Sequence, residues 1–435
     1  MPRRRTTRSL IGTATVLVCA AAGLSGCGSG TAANELTWYI NPDGGGSDPT
    51  KGGQAQLAAE CTKAAAGKYS IKIQLLPNSA SDQRQQLLRR LAAADPGMDI
   101  MSMDPVFVAE FAEPGYLDPV PADRQAALME DAVKPIVDSA KWKDRFVAAP
   151  MWANTQLLWY RKSVAKAAGL DMSKPVTWDQ LIAAAQSQKK AIGVQARLYE
   201  GYTVWINALI EGAGGSIIES GADNADAMKL GLESPAGKAA AGVIRKVSDT
   251  GVGGPAMGST NETTSLDTFM AESTSGFMLN WPYVWASIGG TSKELLADVG
   301  YARYPQTVAG QDSRPPFGGI ELGVNAASTK KANAWAAIEC ITSAEHQKLY
   351  MLKTGNPAAR KSVYSDPEVL KVFPMAQLIR DSLDGGAPRP LTQYYGDVST
   401  ALQKEFSPPS SVDPNSTPAQ ATQLIKAVLK GEALL

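Results

Sequence analysis

At 435 residues the chain is long enough for two domains or two lobes, each with a sizeable hydrophobic core. Its 42 basic and 42 acidic residues balance, but residues 1–26 hold four arginines and no acid, so the remainder is mildly acidic. This charge excludes nucleic acid as the expected partner, because nucleic-acid binding needs a basic surface.

The amino-terminal segment has the features of an export signal. Four arginines precede an uncharged apolar stretch from Leu10 to Leu24, which is too short to span a bilayer. Leu24-Ser25-Gly26-Cys27 resembles the bacterial lipobox, in which Cys27 carries the lipid. We therefore expect a signal peptide over 1–26, a flexible tether over 27–34 and lipid anchoring on the extracytoplasmic face of the membrane. A plain signal peptide with a chance cysteine is the alternative.

The next seventy residues alternate strands with helices. The strands are predicted at Glu35–Ile40, Tyr69–Leu75 and Met98–Met103, and the helices around Gln54–Ala66 and from Ser81 onward. This alternation predicts an open parallel sheet. Ligands bind beyond the carboxyl ends of such strands, where Asn41, Asp43 and Asp104 would lie.

A stretch rich in aromatic residues, Ala149–Arg161, occupies the middle of the chain. Gln156–Arg161 mixes aromatic and aliphatic residues without a helix breaker, which predicts a strand. The run before it contains Pro150 and small residues, which predicts a bend or crossover. Asn154 lies at the junction, where its side-chain amide offers both donors and an acceptor.

The second half of the chain is predicted to be mostly helical. Helices are expected at Thr177–Lys189, from Glu200 to Gly212, at Leu266–Ala271, from Thr329 onward and over most of 345–435, with strands at Gly276–Asn280 and Phe317–Val324. The glycines at 212–215 follow a helix rather than a strand, so they predict helix termination and not a dinucleotide site.

The cysteine count favours one disulfide. Cys19 leaves with the signal and Cys27 is assigned to the lipid, so Cys61 and Cys340 remain as two thiols in an exported chain. Exported chains commonly pair such thiols. Two unpaired buried thiols are the alternative.

The sequence lacks most of the residues that catalysis requires. It contains one histidine, His346, and no nucleophile elbow or Walker-type loop accompanies it. We therefore expect no enzyme activity, no metal and no cofactor. A glycoside hydrolase needs only two carboxylates, so it stays open as an alternative.

Amides, carboxylates and aromatic residues recur at the predicted strand ends and helix starts. Carboxylates and amides can bind vicinal hydroxyls, and aromatic rings pack against the apolar face of a pyranose, so this mixture suits a carbohydrate. The candidate site residues are Asn41, Asp43, Asp104, Asn154, Tyr202, Trp281, Tyr283, Gly319, Glu321 and Tyr395. Trp281 and Tyr283 as core residues, and Asp104 as a turn or cap residue, are the structural alternatives.

The chain as a whole resembles the extracellular solute-binding proteins of ABC importers, in the maltose and sugar-binding group. The lipobox and four further segments carry the resemblance: Met98–Asp104, Pro150–Arg161, Asn280–Tyr283 and Gly318–Ser328. It looks closest to actinobacterial trehalose-recycling binding lipoproteins, which share Asn-Thr-Gln-Leu-Leu-Trp-Tyr-Arg at Asn154–Arg161 and paired cysteines. Those relatives have an amide where Glu321 stands and an arginine near Ala401, so this chain departs from them at two sugar-facing positions.

The resemblance implies an α/β periplasmic-binding-protein fold with two discontinuous lobes joined by a hinge. The first lobe would be 35–152 plus 316–350, and the second 153–315 plus 351–435. One cleft wall would carry Asn41, Asp104 and Glu321, the hinge Asn154, and the other wall Tyr202, Trp281, Tyr283 and Tyr395.

The resemblance also implies a function. A monomer would capture a carbohydrate, such as trehalose or a related glucoside, by lobe closure and pass it to the permease subunits of an ABC transporter. A lipid-anchored glycoside hydrolase and a non-transporting sugar receptor are the alternatives.

Overall fold

The computed structural model describes residues 34–43, 45–271 and 273–435. The predicted signal peptide, the lipobox and nearly all of the predicted tether lie outside these residues. Across the described part of the chain, no helix combines the length and the apolar character that a membrane span requires.

The described residues alternate strands with helices along most of their length. The strands are β1 (Glu35–Ile40), β2 (Ser70–Leu75), β3 (Ile100–Met103), β4 (Lys141–Trp142), β5 (Arg145–Phe146), β6 (Ala149–Thr155), β7 (Leu157–Arg161), β8 (Ala191–Gly193), β9 (Ile218–Ser220), β10 (Lys229–Leu230), β11 (Ser275–Asn280), β12 (Val299–Ala302) and β13 (Phe317–Val324). The helices are α1 (Gln54–Ala64), α2 (Ala80–Ala92), α3 (Val108–Ala112), α4 (Ala122–Met129), α5 (Lys134–Ser139), α6 (Lys162–Ala167), α7 (Trp178–Ser187), α8 (Glu200–Gly212), α9 (Pro235–Asp249), α10 (Glu262–Met270), α11 (Tyr283–Thr291), α12 (Lys293–Asp298), α13 (Lys331–Ile341), α14 (Ala344–Thr354), α15 (Pro367–Val372), α16 (Ala376–Asp384), α17 (Tyr395–Glu405) and α18 (Thr417–Leu429). Short 3-10 helices occupy Pro105–Phe107, Met257–Ser259, Lys361–Ser365 and Pro409–Ser411.

The first sheet has five strands in the order β2-β1-β3-β13-β6. The pairs of β1 with β2 and β3 are parallel, as the alternation of strands and helices predicts. However, β13 runs antiparallel to both of its neighbours, so the sheet is mixed rather than wholly parallel. The parallel arrangement predicted from the alternation does not extend to β13. This strand comes from a distant part of the chain, so no short crossover connection fixes its direction.

The stretch before Gln156 is strand β6 and not the expected bend or crossover. Its seven residues are all buried, and all except Met151, at a register shift, pair with β13. Pro150 does not break this strand because β6 lies at the edge of the sheet, where a missing N–H is tolerated. The change of sheet takes place at Gln156 alone, since β7 begins with the next residue.

The second sheet has four strands in the order β12-β7-β11-β8. β7 runs antiparallel to β12 and β11, and β8 runs parallel to β11. The side chain of Trp159 on β7 is completely buried, and its indole N–H donates to the Asn280 carbonyl at 2.9 Å.

The chain passes between the two sheets more than once. Besides Gln156, the segments 303–316 and 385–394 make this passage. Helix α16, before the last of these segments, packs on β6 and α5, whereas α17, after it, packs on α8 and α18. Residues in 385–394 therefore lie where elements of the two sheets meet.

Several helix ends depend on side-chain caps. Thr177 caps α7 in a capping box with Gln180, as predicted. Asp43 accepts from the Gln54 N–H at 2.8 Å and so binds the first turn of α1. The second helix follows Ser79 rather than Ser81, and the helix expected from Thr329 begins at Lys331.

A disulfide joins Cys61 on α1 to Cys340 on α13, with Cα atoms 5.9 Å apart. The pairing predicted from the cysteine count is confirmed. The bond ties together two helices that pack beside the first sheet.

Candidate functional site

The first sheet has two chemically different faces, between which the side chains of strand β13 alternate. Gly318, Ile320 and Leu322 alternate along one face, and the last two pack with Trp38 and the side of α13. Glu321 lies on the other face opposite Met103, whose side chain belongs to a different core cluster. We call these the Gly318 face and the Glu321 face.

The Gly318 face brings together residues from both sheets. Asn154 is the register partner of Gly318, and directly opposite residues in an antiparallel ladder share a face. The Asn154 Oδ1 atom accepts from the Thr155 N–H at 3.0 Å, which leaves the amide nitrogen to donate. Trp281 follows β11 of the second sheet, and a Cβ atom on Gly318 would lie 3.3 Å from the Trp281 ring. An amide and an indole therefore meet over a backbone that has no side chain.

The loop after β1 lies near the same face. Asp43 accepts from the N–H groups of Gly45, Gly46 and Gln54 and from the Tyr350 hydroxyl, at 2.8–3.2 Å. The Tyr350 ring stacks on Trp152 with centroids 5.0 Å apart. These bonds give Asp43 the role of organising its loop.

Asn41 is held by the side chain of Gln54. Its carbonyl oxygen accepts from the Gln54 side-chain amide at 2.8 Å, and its Oδ1 atom lies 3.3 Å from the same nitrogen. The Asn41 side-chain nitrogen is left to donate.

One arginine connects the strand end of the first sheet to the start of α8. The Asp104 Oδ1 atom accepts from the Val106 N–H at 3.3 Å, capping a 3-10 helix, and from the Arg389 guanidinium at 2.8 Å. The other end of the guanidinium donates to Glu200 at 2.6 Å. Because the Arg389 side chain is only 3% exposed, this is a buried ion network.

Glu200 is fully bonded inside this network. Besides Arg389, it accepts from the hydroxyls of Tyr395 and Ser399. Burial raises the pKa of Glu200, and the charge of Arg389 opposes that rise. Burial also opposes the charge of Arg389, but the carboxylate of Asp104 and its neighbours raise the pKa of the guanidinium well above its usual range.

Two predicted tyrosines have packing or positioning roles in this structure. Tyr202 is completely buried, and its hydroxyl donates to the Phe406 carbonyl at 2.6 Å. Tyr395 is 1% exposed and contacts Glu200 rather than an open surface. Neither ring is available for stacking on a ligand in this conformation.

Tyr283 begins α11, two residues after Trp281, but its hydroxyl is buried away from solvent. Burial raises the pKa of this hydroxyl, with a further contribution from the negative charge of Glu262. The ring packs against the core that contains Val284 and Ile288. The structure thus sets Tyr283 beneath the start of the helix, whereas Trp281 faces β13.

Glu321 lies on the opposite face from Asn154 and Trp281. Its Oε1 atom accepts from the Ser139 hydroxyl at 2.5 Å, and its Oε2 atom has no hydrogen-bond partner among the described residues. Burial raises the pKa of Glu321 well above its ordinary value. Gly319, the other predicted residue on this strand, has a φ of +140° that only glycine adopts readily.

A cavity of about 350 Å³ adjoins the Glu321 face. Its lining includes Val106, Ser139, Phe317, Arg389 and Leu391. Arg389 therefore lies between this cavity and the residues that meet over Gly318.

Sequence reasoning missed Arg389 as a site residue and treated Glu200 only as a helix start. The resembled relatives carry an arginine near the position of Ala401, which in this chain is completely buried in α17. The arginine that reaches Asp104 comes from twelve positions earlier, in Pro388-Arg389-Pro390. The prolines on both sides predict an extended segment, and no local pattern says where that segment runs.

Asp104 and Glu200 share one guanidinium, and three groups bond to the buried Glu200, so neither carboxylate is arranged as a free general acid. Among the described residues, the one grouping with metal-ligand character is Cys61, Cys340 and His346, whose sulfurs are joined in the disulfide.

The chain matches known proteins over most of its length. The profile of the family described as bacterial extracellular solute-binding proteins matches residues 48–348. A probable ABC transporter-binding protein of Deinococcus radiodurans is 25% identical over 413 residues, which cover 91% of this chain and 92% of the relative.

Solved structures share the fold. The maltose-bound MalE3 protein of T. maritima has a TM-score of 0.79 and 24% identity, covering 92% of this chain and 100% of MalE3. The GacH receptor of Streptomyces glaucescens, with structures unliganded and in complex with acarbose, has a TM-score of 0.75 and 20% identity, covering 92% and 99%. The fold is accordingly the two-lobed α/β fold of maltose-binding proteins.

Proposed function

Because the chain belongs to the family of bacterial extracellular solute-binding proteins, we propose that it captures a carbohydrate outside the cytoplasm and delivers it to an ABC importer. The relatives support this proposal, since they include a probable ABC transporter-binding protein, a maltose complex and a receptor in complex with acarbose. Carbohydrates are therefore the first ligand class to test.

The observation that carries the proposal is the meeting of Trp281 with Gly318 beside the Asp104–Arg389 pair. An indole face provides the apolar contact that a pyranose ring requires, and the missing side chain at Gly318 lets a ring approach the strand. The Asn154 amide nitrogen can donate to a sugar hydroxyl, and Asp104 can accept from one. The Trp281–Gly318 contact and the polar groups beside it thus have complementary roles in binding one sugar.

We propose a disaccharide, such as trehalose or a related glucoside, as the ligand. The departure at Glu321 does not argue against it, because Glu321 bonds Ser139 on the opposite face of the sheet. The missing arginine near Ala401 does not argue against it either, because Arg389 supplies a guanidinium beside Asp104.

Lobe closure is the proposed mechanism, with one lobe built on the five-stranded sheet and the other on the four-stranded sheet. The passages at Gln156, 303–316 and 385–394 replace the expected boundaries after 152, 315 and 350. The repeated passage of the chain between the two sheets provides the hinge segments that such motion needs. In this conformation the Trp281 ring rests directly over Gly318, so a sugar ring must displace it or open the gap between them. Ligand contacts made only in the closed state would then drive closure.

We further propose that Cys27 carries a lipid that retains the protein on the extracytoplasmic face of the membrane. The Cys27→Ser variant should leave sugar binding intact and move the protein from the membrane fraction to the soluble one. Retention equal to that of the wild type would overturn the lipid assignment.

A direct test is calorimetry of the mature chain with trehalose, maltose, sucrose, glucose and mannitol, after a thermal-shift screen of the same panel. Bound ligand should raise the melting temperature in proportion to the logarithm of its concentration over Kd. We expect binding to at least one disaccharide without any change in the sugar. Release of monosaccharide on prolonged incubation would support the hydrolase alternative, and no binding across a broad saccharide panel would overturn the proposal.

A further inference from the structure

The single histidine of the sequence lies against the single disulfide of the described residues. The His346 Nδ1 atom is 3.7 Å from the Cys61 sulfur and 3.8 Å from the Cys340 sulfur. Its side chain is only 13% exposed, so the ring is held in place by its surroundings.

Both ring nitrogens of His346 face oxygen acceptors. The Nδ1 atom lies 2.7 Å from the Cys340 carbonyl oxygen, and the Nε2 atom lies 3.2 Å from a carboxylate oxygen of Glu60. A neutral imidazole can donate to only one of them, whereas the imidazolium donates to both. A proton on Nδ1 donates to the Cys340 carbonyl and lies beside the two sulfurs, where it can pass to one of them.

The two cysteines differ in exposure. Cys61 on α1 is completely buried, whereas Cys340 on α13 is partly exposed. A thiolate arriving from solvent therefore reaches the Cys340 sulfur first, and the Cys61 sulfur is the leaving group.

We propose that the Cys61–Cys340 bond is a site of thiol–disulfide exchange with a dithiol reductant, and that His346 is its proton donor. The thiolate of the dithiol bonds to the Cys340 sulfur, the S–S bond breaks, and its electron pair goes to Cys61, which takes the Nδ1 proton of His346. The second thiol of the dithiol then displaces Cys340. The dithiol ends as a disulfide, and Cys61 and Cys340 end as two thiols.

The placement of His346 matters because exchange is faster when the departing sulfur is a better leaving group. A cation beside a thiol lowers the energy of its thiolate, and a proton donor removes the charge altogether. By microscopic reversibility, the same ring takes the proton from Cys61 when the bond forms again. Glu60, adjacent to Cys61 in α1, holds the ring as a positioning residue.

Exchange at this bond would affect the loop of Asn41 and Asp43 in the proposed sugar site, because α1 connects this loop to Cys61. Gln54 lies two helical turns before Cys61 and donates to Asn41, while its backbone N–H bonds Asp43. Reduction frees α1 from α13 and so loosens one support of this loop. The exchange chemistry itself is independent of what the protein binds.

The test uses the oxidised mature chain under native conditions at neutral pH, with dithiothreitol as the dithiol and thiol release followed over time. His346→Gln keeps a side-chain amide near the Cys340 carbonyl but cannot act as the proton donor. We expect it to be reduced at least tenfold more slowly than the wild type. A substitution that merely loosened the helix would expose the bond and speed its reduction, so an equal or faster rate overturns the proposal.

Two further variants sharpen the test. Glu60→Gln, at a side chain that is 42% exposed and carries little folding risk, should also slow reduction, by a smaller factor. Glu345→Gln, an exposed neighbour on α14, is the matched control and should react at the wild-type rate. Slowing in Glu345→Gln equal to that in His346→Gln would assign the effect to α14 as a whole and overturn the role of the imidazole.

Discussion

The two faces of β13 differ in how completely their buried polar groups are hydrogen-bonded. On the Gly318 face and at its rim, Asn154 and the Asp104–Arg389–Glu200 network have partners for most of their atoms. On the Glu321 face, a completely buried carboxyl accepts from Ser139, and its second oxygen has no hydrogen-bond partner among the described residues. Burial raises the pKa of both Glu200 and Glu321, but only Glu200 has a cation that opposes the rise.

The comparison shows that burial alone does not give a carboxylate a ligand-binding role. Glu200 accepts from Arg389 and from two hydroxyls, and it thereby positions the guanidinium next to Asp104. Glu321 lacks such partners and so favours its neutral form. Substitutions on each side of β13 should therefore have different consequences for folding and for binding.

The largest effect is expected for Arg389→Met. Removing the cation leaves Glu200 buried without its charge partner, which should lower the free energy of unfolding by about 3–5 kcal/mol. Urea denaturation measures this change. Arg245→Met is the control, since Arg245 pairs with Asp249 at the surface and should change stability little. Equal denaturation midpoints for the two variants would show that the network does not stabilise the fold.

Adjacent glycines on the two faces should respond differently to alanine. Gly319→Ala forces a residue with a Cβ into a φ of +140° and brings that atom to 2.3 Å from the Trp152 carbonyl oxygen. Strain and overlap together should destabilise the fold by about 2–4 kcal/mol. Gly318→Ala meets the Trp281 ring at 3.3 Å and should impair sugar binding more than folding. Thermal unfolding and calorimetry of both variants test this, and equal loss of stability would remove the distinction between the faces.

Trp281→Ala tests the Gly318 face as a binding surface. Loss of the apolar contact should weaken sugar binding by about 2–3 kcal/mol, while the melting temperature without ligand changes little because Trp281 is partly exposed. The matched control is Trp285→Ala, four residues later on α11. Trp285 stacks on the buried Trp159 and donates to the Val372 carbonyl at 3.0 Å, so its loss should lower stability and leave affinity unchanged. The reverse pattern in calorimetry would mean that the site is wrongly placed.

The smallest effect is expected for Glu321→Gln, and it should depend on pH. Because burial raises the folded-state pKa of Glu321, the folded chain holds a proton that the unfolded chain releases above about pH 4.3. The stability from this proton is fully present below that pH and is lost as pH rises through the folded-state pKa. Glu321→Gln should therefore stabilise the fold by about 1–3 kcal/mol at neutral pH and by little near pH 4. A gain that is equal at both pH values would contradict the ionisation argument.

Much of the local structure was predictable from the sequence. Helix α7 begins after Thr177 because a threonine and a glutamine three residues later form a capping box, which involves neighbours in the chain. The Cys61–Cys340 pair followed from counting thiols in an exported chain, and the bounds of β13 followed from its run of strand-forming residues. Polar and aromatic residues at strand ends also indicated the type of ligand that we propose.

The face on which each side chain lies was decided by the tertiary structure alone. Strand β13 inserts between β3 and β6, which come from much earlier in the chain, and this long-range register puts Asn154 on one face and Glu321 on the other. The path of 385–394 likewise brings Arg389 to Asp104, a contact across 285 positions. Local patterns specify caps, turns and periodicity, because these depend on residues a few positions apart. They do not specify which distant strands pair, and that pairing determines which polar groups share a site.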